Sequence, residues 1–397
     1  MKRVIKELLK RASARLPEVS FTIRFWDGET AHFGKDEPHF FVDFKTKDTL
    51  RSILGRGSTG FREEYVSGNI DISGDLQAVM RLGAGETIQG MELSPWMRLT
   101  LLVRCLCTRN SLRKSPENIA RHYDLGNDFY RQWLDESMTY SCAYFKSESD
   151  SLEQAQQQKY EHICRKLMLS EGDNVVDVGC GWGGFLVYAS RKFGIRGVGC
   201  TLSREQADYA KDLIATAGLG KRIDILLEDY RRLKGRFDKF VSIGMFEHVG
   251  KGFIPTFMEK TKHLLKPGGI GLLHSIGKER ASAGDPWTLG HIFPGGYIPV
   301  LDEIVRAMGA RGLIPIDIEN LRLHYAATLD EWARRFEMNA EGVRQHFGEG
   351  FARTWRMYLN GCAAVFRWGD LRLYQIAFTN GVNNSLPLTR DYLYRTT

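Results

Sequence analysis

The sequence predicts an α/β protein in which a doubly wound parallel sheet follows a small α+β domain at the N-terminus. From about residue 118 onward, short apolar segments alternate with segments of helical periodicity, the pattern of a parallel sheet with helices on both faces. Before residue 90, apolar and polar residues alternate in short segments around turn residues, which is typical of paired strands. Because 397 residues exceed the roughly 250 to 300 at which a single core stops growing, we expect two domains, 1–90 and 116–397, joined by a linker at 91–115.

The first domain opens with a basic helix and continues with strands. Apolar residues recur at helical spacing in MKRVIKELLKRASARL, with lysines and arginines around them. Such a helix either lies on an acidic membrane surface or packs with a solvated basic face, and the basic segment from Arg104 to Lys114 allows the same two interpretations. Downstream, the Trp26-Asp27-Gly28 turn in FTIRFWDGETAHFG predicts a hairpin, and HFFVDFKT predicts a further strand.

The composition argues against several classes of protein. Seven cysteines lie without the paired CxxC spacing of a zinc site or a disulfide framework, so we expect reduced thiols, no metal and a cytoplasmic protein. No stretch approaches the roughly 20 apolar residues of a membrane span. Lys6, Glu7 and Lys10 interrupt the apolar residues of the N-terminus, unlike a signal peptide. The net charge of +7 is compatible with nucleic acid or with anionic lipid.

Strands of the second domain are predicted at apolar segments, with helices between them. A last strand near 371–378 would complete the sheet. The preceding predicted strands are Asn174–Val178, Arg196–Thr201, 222–227, 239–244 and 269–276.

A glycine-rich turn joins the first of these strands to a helix. In NVVDVGCGWGGFLVYASRKFG, Gly179, Gly181 and Gly183 let the backbone approach a ligand closely, and the helix N-terminus offers N–H groups to a carboxylate. The spacing differs from the G-x-G-x-x-G of dinucleotide sites, and Cys200 and Thr201 stand where such sites place an acid. We therefore expect an adenosyl cofactor and no hydride transfer; a structural loop is the alternative for the glycine turn taken alone.

Several motifs of this domain resemble the cyclopropane-fatty-acyl-phospholipid synthase family. The resemblance implies a seven-stranded S-adenosylmethionine-dependent methyltransferase sheet, Rossmann-like, with Thr201 and Gln206 in place of the usual ribose-binding acid. The motifs are RHYDLGNDFY at 121–130, MTYSCAYF at 138–145, DVGCGWGG at 177–184, TLSREQ at 201–206, SIGMFEHVG at 242–250, LLHSIG at 272–277, IFPGGYIP at 292–299 and HYAATL at 324–329. The implied cofactor-binding residues are Tyr140, Ser141, Asp177, Gly179, Gly181, Gly183, Thr201, Gln206, Asp229 and Tyr230.

The same family binds a bicarbonate ion beside the sulfonium, and the resemblance places that ion among five residues of this protein. The side chains of Glu247, His274 and Tyr325 would form hydrogen bonds with the ion, whereas Cys142 and Ile276 would contribute mainly backbone N–H groups. Taken singly, each of them is also compatible with a place in the core. Asp229 is the expected acceptor for the adenine amino group, with a solvated loop carboxylate as its alternative.

The implied reaction adds one carbon to the double bond of an unsaturated phospholipid acyl chain and closes a cyclopropane ring. Methyl transfer leaves a carbocation that aromatic faces can stabilise, and bound bicarbonate is the expected proton acceptor. The substrate-facing candidates are Tyr123, Phe246, Trp287 and Phe293, together with Phe129 and Tyr130; ordinary core packing is the alternative for each.

The N-terminal domain, with FREEYVSGNIDISGDL at 61–76, resembles that of phospholipid-acting members more loosely. It implies lipid binding at the inner face of the membrane and a homodimer. The alternatives are a C-methyltransferase that acts on acyl groups and gives a methyl-branched or methylene product, a small-amine N-methyltransferase, and a lipid-binding protein without activity. A nucleic-acid partner is not expected, because no base-pocket motif is found.

Overall fold

The computed structural model describes residues 1–84, 125–282 and 284–394, and these form two compact units. We call them the four-stranded unit and the seven-stranded unit after their sheets. The predicted linker at 91–115 and the basic segment from Arg104 to Lys114 lie outside the described residues. The four-stranded unit takes its described residues from Met1–Val103, Asp285–Ile292 and Leu329–Asp370, and the seven-stranded unit from Arg104–Gly284, Phe293–Thr328 and Leu371–Thr397.

The units are not continuous in sequence, whereas the prediction assigned all of 116–397 to one domain. Residues 285–292 and 329–370 group with the N-terminal residues. One reason is that Arg353 donates hydrogen bonds to the carbonyls of Tyr65 and Ile70, each at 3.0 Å. As functional domains, the predicted boundaries stay a prediction.

The described strands number eleven and fall into two sheets. They are β1 Phe21–Arg24, β2 Thr30–Phe33, β3 Phe40–Phe44, β4 Ile70–Gly74, β5 Asn174–Val178, β6 Arg196–Thr201, β7 Ile223–Leu227, β8 Phe237–Ile243, β9 Leu265–Lys278, β10 Leu313–Asn320 and β11 Leu371–Asn380.

Helices form much of the remaining described structure. They are α1 Lys2–Arg15, α2 Lys47–Val66, α3 Leu76–Ala84, α4 Asn127–Arg131, α5 Leu152–Lys166, α6 Gly184–Phe193, α7 Arg204–Thr216, α8 Ile254–Leu264, α9 Pro286–His291, α10 Leu301–Gly309, α11 Arg322–Met338, α12 Ala340–Phe347 and α13 Glu349–Trp368.

The small sheet has the order β2-β1-β3-β4, with β1 antiparallel to β2 and parallel to β3. The predicted hairpin is confirmed: the turn closes with a hydrogen bond from Phe25 N to Glu29 O at 2.8 Å, and Gly28 adopts a φ of +85°. Only glycine adopts that backbone conformation without strain, which is why the turn falls at this position.

The large sheet has the order β10-β11-β9-β8-β5-β6-β7. The predicted seven-stranded sheet is confirmed. Its strands run parallel to one another except β11, which is antiparallel to both of its neighbours. The sequence analysis did not locate β10. That strand forms an edge of the sheet, leaves Ile314 and Ile318 exposed and has a register shift between Pro315 and Asp317, so its apolar pattern is broken.

Strand β5 explains why the centre of the sheet was easy to predict. Val175 packs into the apolar cluster on one face, which includes residues of α5, α6 and α7, and Val176 packs into the cluster on the other. A strand buried on both faces reads as a continuous apolar run. The turn after β5 is tied to the end of β6 by hydrogen bonds from Gly179 N and Cys180 N to Cys200 O, both at 3.0 Å.

Helix α5 begins with a capping box. Ser151 Oγ accepts from Gln154 N at 3.3 Å, and Gln154 Oε1 accepts from Ser151 N at 2.9 Å, so two N-terminal N–H groups are satisfied. The cap fixes where the helix starts and therefore which of its residues face the sheet. Among the described residues, no helix combines the length and the apolar composition that crossing a bilayer requires.

Candidate functional site

A cavity opens where β5, β6, β7 and β8 end, at the edge of the sheet where doubly wound folds bind ligands. Nine of the ten predicted cofactor-binding residues line it: Tyr140, Ser141, Asp177, Gly179, Gly181, Thr201, Gln206, Asp229 and Tyr230. Gly183 is the exception. Their roles in binding stay a prediction.

The three glycines of the turn occupy different environments. A Cβ on Gly179 would lie 2.5 Å from Cβ of Met245, and its φ is +86°, so only glycine fits. Gly181 has a φ of +55° and open space where a Cβ would stand. Gly183 begins helix α6, and its Cβ would lie 3.1 Å from Cβ of Ala210. Gly183 therefore serves helix packing, whereas Gly179 and Gly181 shape the cavity.

Thr201 and Gln206 form a pair at the end of β6. Thr201 Oγ1 donates to Gln206 Oε1 at 2.7 Å, and Gln206 N donates to Ser203 Oγ, the N-cap of α7, at 3.3 Å. Since its amide oxygen is occupied, Gln206 presents its amide nitrogen as a donor. A ribose hydroxyl can accept from that group, in the position where dinucleotide sites use an acid.

The carboxylate of Asp229, which follows β7, already accepts hydrogen bonds within the protein. Its Oδ1 accepts from Arg231 N at 2.9 Å and Nε at 2.8 Å, and its Oδ2 accepts from Arg231 Nη2 at 2.6 Å. A contact with an adenine amino group would have to use the remaining lone pairs. The neighbouring Tyr230 has a buried hydroxyl without a protein partner, and burial raises the pKa of that phenol.

Two buried ionisable groups border the cavity. Asp177 is 1% exposed, with Oδ1 shielded and unpartnered, and burial raises the pKa of its carboxyl to about 7 against the attraction of Lys159. Lys159 on α5 is fully buried and donates to Ser141 Oγ at 2.8 Å. Burial lowers the pKa of Lys159 to about 7, although Asp135, Cys142 and Asp177 oppose that shift. The sequence analysis did not identify Lys159.

The segment from Thr139 to Phe145 is held between two helices. From α5, the amide of Gln156 donates to Ser141 O at 2.9 Å; from α11, Thr328 Oγ1 accepts from Ala143 N at 2.9 Å. His324 Nδ1 also accepts from Phe145 N at 3.1 Å. These bonds fix the backbone on either side of Cys142.

Aromatic rings form one wall beside this segment. The ring of Tyr130 lies 5.6 Å from that of Tyr140 and 5.2 Å from that of Trp182, measured between centroids. Tyr140 and Trp182 line the cavity. Their π faces are suited to a positively charged ligand group such as a sulfonium.

Two of the predicted bicarbonate ligands are in direct contact. Glu247 Oε1 accepts from Ile276 N at 2.5 Å, while Glu247 Oε2 is shielded from solvent and has no hydrogen-bond partner in the part of the chain that the structure describes. Burial raises the pKa of this carboxyl to about 7, against the hydrogen bond from Ile276. One oxygen of Glu247 is therefore available to a ligand.

His274 lies two residues before Ile276 on β9 and is fully buried. Its Nδ1 lies 3.2 Å from the amide nitrogen of Gln375, and its Nε2 is shielded from solvent and has no hydrogen-bond partner among residues 1–84, 125–282 and 284–394. Burial lowers the pKa of His274 well below its usual value, and the charges of Lys159 and Lys166 add to that effect. The imidazole is therefore neutral, with Nε2 available to a ligand.

Cys142 lies on the segment from Thr139 to Phe145, and Tyr325 lies on α11. The hydrogen bonds of Thr328 and His324 join these two segments. Cys142 is fully buried, its thiol donates to Ala143 O at 3.2 Å, and burial raises its pKa far above neutrality. A thiol in that state is not a nucleophile, which agrees with the prediction that Cys142 acts through its backbone. Tyr325 is 9% exposed and lies in the first turn of α11.

The predicted substrate-facing residues lie in different parts of the chain, and their contact with a substrate stays a prediction. Phe246 packs in an apolar cluster, 4.9 Å from Phe257 between ring centroids. Trp287 belongs to the four-stranded unit, where Arg62 lies over its ring. Phe293 lies 5.7 Å from His248, which lines the cavity. Tyr123 is outside the described residues.

Comparisons with known proteins show the family to which the chain belongs. The family model described as mycolic acid cyclopropane synthetase matches residues 110–376, and a domain of unknown function matches residues 4–87. The cyclopropane-fatty-acyl-phospholipid synthase of Escherichia coli is 37% identical over 88% of this chain and 90% of its own. A probable fatty acid methyltransferase of Pseudomonas putida is 34% identical over 94% of this chain and 96% of its own.

Solved structures agree with the large sheet. The mycolic acid cyclopropane synthase CmaA1, in complex with S-adenosylhomocysteine, superposes with a TM-score of 0.63 at 33% identity, over 66% of this chain and 98% of that one. Coclaurine N-methyltransferase, at 16% identity and a TM-score of 0.65, shows the fold alone. This protein therefore belongs to the cyclopropane synthase family of S-adenosylmethionine-dependent methyltransferases.

Proposed function

We propose that this enzyme transfers one carbon from S-adenosylmethionine to the double bond of an unsaturated phospholipid acyl chain and closes a cyclopropane ring. The observation that carries the proposal is a pair of buried polar atoms, Glu247 Oε2 and His274 Nε2, which have no hydrogen-bond partner among the described residues and lie in the seven-stranded unit that holds the cofactor cavity. A simple methyl transfer to an amine needs no such pair.

The cavity supports S-adenosylmethionine as the methyl donor. Gly179 and Gly181 permit close approach of a ligand, and Gln206 offers an amide donor at the ribose position. Tyr140 and Trp182 present aromatic faces for the sulfonium. A relative of the same family, CmaA1, is known in complex with the demethylated form of this donor.

A bicarbonate ion fits the unpartnered atoms. Neutral His274 can donate from Nε2, and a Glu247 carboxyl that titrates near 7 can donate or accept the remaining hydrogen bond. Leaving such buried groups unsatisfied costs roughly 1 to 3 kcal/mol each, so a ligand that pairs them is favoured. When bound, bicarbonate supplies a base for the proton that the transferred methyl group must lose.

In this reaction the residues of the protein act by positioning the reacting groups. The alkene must lie in line with the sulfonium methyl, because an isolated double bond is a weak nucleophile. Water must be excluded, since it would capture the carbocation left on the acyl group. Glu247 and His274 then hold the base at a fixed place, while buried Cys142 keeps its thiol protonated and unreactive. Loss of the proton lets the ring close.

We further propose that α1 attaches the enzyme to an anionic membrane surface and that the active form is a homodimer. Helix α1 leaves Val4 and Leu8 52% and 45% exposed. Not all of its basic residues are available, because Lys2 and Lys6 pair with Asp27 and Glu29. Arg3 and Lys10 are exposed near the apolar pair, and Arg11 is exposed but pairs with Glu7 at 3.3 Å. A monomeric mass in light scattering would refute the dimer.

The test is incubation of the protein with S-adenosylmethionine and vesicles of unsaturated phospholipid, followed by mass spectrometry and proton NMR of the lipids. The proposal expects a mass gain of one CH₂ unit with cyclopropyl proton signals. No gain with lipid, but methylation of small amines, would favour the N-methyltransferase alternative.

One observation favours a second product. The relative from Pseudomonas putida covers more of this chain than the Escherichia coli synthase does, and it is named a probable fatty acid methyltransferase. A methyl-branched or methylene product requires the same first step and differs only in the fate of the cation. Methyl or vinylidene signals in the NMR spectrum would identify it.

A further inference from the structure

The ring of Tyr144 lies between two imidazole rings. Its centroid is 4.6 Å from that of His324, with 11° between the ring planes, and 4.4 Å from that of His162, with 23° between the planes. His162 lies on α5 and His324 on α11, whereas Tyr144 belongs to the segment from Thr139 to Phe145. Stacked aromatic rings at such distances attract one another, so both helices hold this segment through a side chain as well as through its backbone.

Each imidazole is fixed by a further contact. His162 Nε2 donates to Glu319 Oε2 at 2.7 Å, and the same oxygen lies 2.6 Å from Nζ of the fully buried Lys166. Burial opposes the ionisation of Glu319, but the hydrogen bond from His162 and the charge of Lys166 lower the pKa of this carboxyl to about 2. On the other side of the stack, His324 Nδ1 accepts from Phe145 N at 3.1 Å. The stack therefore lies between a buried ion cluster and the backbone of Phe145.

The hydrogen bond from Phe145 N requires a neutral His324, because a protonated imidazole carries a proton on both ring nitrogens and cannot accept. Burial lowers the pKa of His324; the carboxylate of Glu319 on β10 opposes that shift, and His162 adds to it. The ring of Tyr144 stays neutral, since burial raises the pKa of its phenol to about 12. The bond is therefore present at neutral pH and is lost as the pH falls through the lowered pKa of His324.

We propose that His324 is a positioning residue that makes use of the anion depend on its own protonation state. Neutral His324 holds Phe145, and with it the segment that carries Cys142, against α11, which carries Tyr325. The inference deepens the proposed function and rests on a bicarbonate ion that binds between these two segments. When His324 takes up a proton from solvent, two N–H donors face each other in place of the bond, so the segment is released at this point.

The test compares His324→Asn with His324→Leu. Both variants lose the stacked ring, but the asparagine places Oδ1 where histidine has Nδ1 and can accept from Phe145 N at any pH, whereas the leucine cannot accept. Turnover is measured with vesicles of unsaturated phospholipid and saturating S-adenosylmethionine. Near neutral pH, the bicarbonate concentration for half-maximal turnover should rise about 10-fold in His324→Leu and stay within about twofold of the natural protein in His324→Asn. His263→Asn, which alters a 62% exposed histidine of α8, is the matched control and should behave as the natural protein does.

The pH dependence distinguishes positioning from packing. As the pH falls below the ordinary range of histidine pKa values, the half-maximal bicarbonate concentration of the natural protein should rise by up to about 10-fold relative to that of His324→Asn. This ratio removes the titrations of bicarbonate and of Glu247, which both proteins share. A ratio that does not change with pH would overturn the proposal, and so would natural bicarbonate dependence in His324→Leu.

Hydrogen exchange separates this inference from the proposed function. Exchange in the peptide that spans residues 139–145, followed by mass spectrometry, should be faster in His324→Leu than in His324→Asn, because only the asparagine retains the bond to Phe145 N. Turnover of the natural protein without any need for bicarbonate would refute the proposed function. Equal exchange in the two variants would overturn the role of His324, whatever the anion dependence.

Discussion

Gln375 and His274 are register partners on β11 and β9, and the amide nitrogen of Gln375 lies 3.2 Å from Nδ1 of His274. Both side chains are fully buried. An amide that donates to Nδ1 keeps the proton of the neutral imidazole on Nε2. Gln375 thus acts as a positioning residue that makes Nε2 a donor toward the proposed anion.

Gln375→Leu should therefore weaken the use of bicarbonate. Without the amide, His274 can carry its proton on either nitrogen, and loss of such a supporting contact commonly costs about 10- to 100-fold. We expect the bicarbonate concentration for half-maximal turnover to rise, with the affinity for S-adenosylhomocysteine unchanged. Thr379→Val, which alters another buried polar residue of β11, is the control. Equal bicarbonate dependence in both variants would contradict the role of Gln375.

Glu247→Gln should lower turnover without affecting cofactor binding. The amide oxygen of the substituted glutamine can still accept the hydrogen bond from Ile276 N, as Glu247 Oε1 does. The amide cannot exchange a proton with the anion, whereas a carboxyl group with a pKa of about 7 can. We expect kcat to fall by about 100-fold. Because Glu247 does not line the cofactor cavity, the dissociation constant for S-adenosylhomocysteine should change less than about twofold. Steady-state assays that show normal turnover would refute this assignment.

The affinity for S-adenosylhomocysteine should pass through a maximum near neutral pH. Lys159, with its pKa lowered to about 7, must be protonated to attract a carboxylate, so affinity falls as the pH rises above 7. Asp177, with its pKa raised to about 7, must be ionised to attract an ammonium, so affinity falls as the pH drops below 7. Lys159→Met should abolish the alkaline decline near 7, and Asp177→Asn the acid one. A flat profile for the natural protein, measured by calorimetry, would contradict both expectations.

Acidic substitutions on the exposed apolar face of α1 should detach the enzyme from vesicles. Val4→Glu with Leu8→Glu places two carboxylates on the exposed face, which opposes both apolar insertion and attraction to anionic lipid. Cosedimentation should fall by about tenfold, because each nearby charge contributes on the order of 1 kcal/mol. Leu388→Glu alters a fully exposed leucine of the other unit and should bind as the natural protein does. If the α1 variant still cosediments normally, the attachment lies elsewhere.

Structural features could be predicted from the sequence where the local residue pattern has a single physical cause. The β5 turn was predicted because Gly179 and Gly181 require left-handed backbone conformations that only glycine adopts freely. The position of β6 was predicted residue for residue, because Gly194 ends the preceding helix and Ser203 caps the next one, so the strand must lie between them. Strand β10 was missed because Pro315 and Asp317 interrupt its apolar pattern at the sheet edge.

Features that depend on packing across the fold were not predicted. Lys159 follows three glutamines, so nothing local distinguishes it from a solvated lysine, and its burial is decided by what packs on α5. Gln375 gains its role from His274, more than a hundred residues earlier in the sequence, through strand pairing alone. The aromatic character of Phe246 and Trp287 did not by itself predict where the fold places them: Phe246 packs in an apolar cluster of the seven-stranded unit, and Trp287 belongs to the four-stranded unit.

The most direct test of the central claim is to supply the methyl donor with a trideuterated methyl group and to analyse the lipid product by mass spectrometry and NMR. Ring closure after proton removal predicts that the product has lost one of the three deuterium atoms and carries the remaining pair on a cyclopropane carbon. A product that retains the whole trideuterated methyl group on a saturated acyl group would contradict the claim and identify a methyltransferase that makes branched lipids.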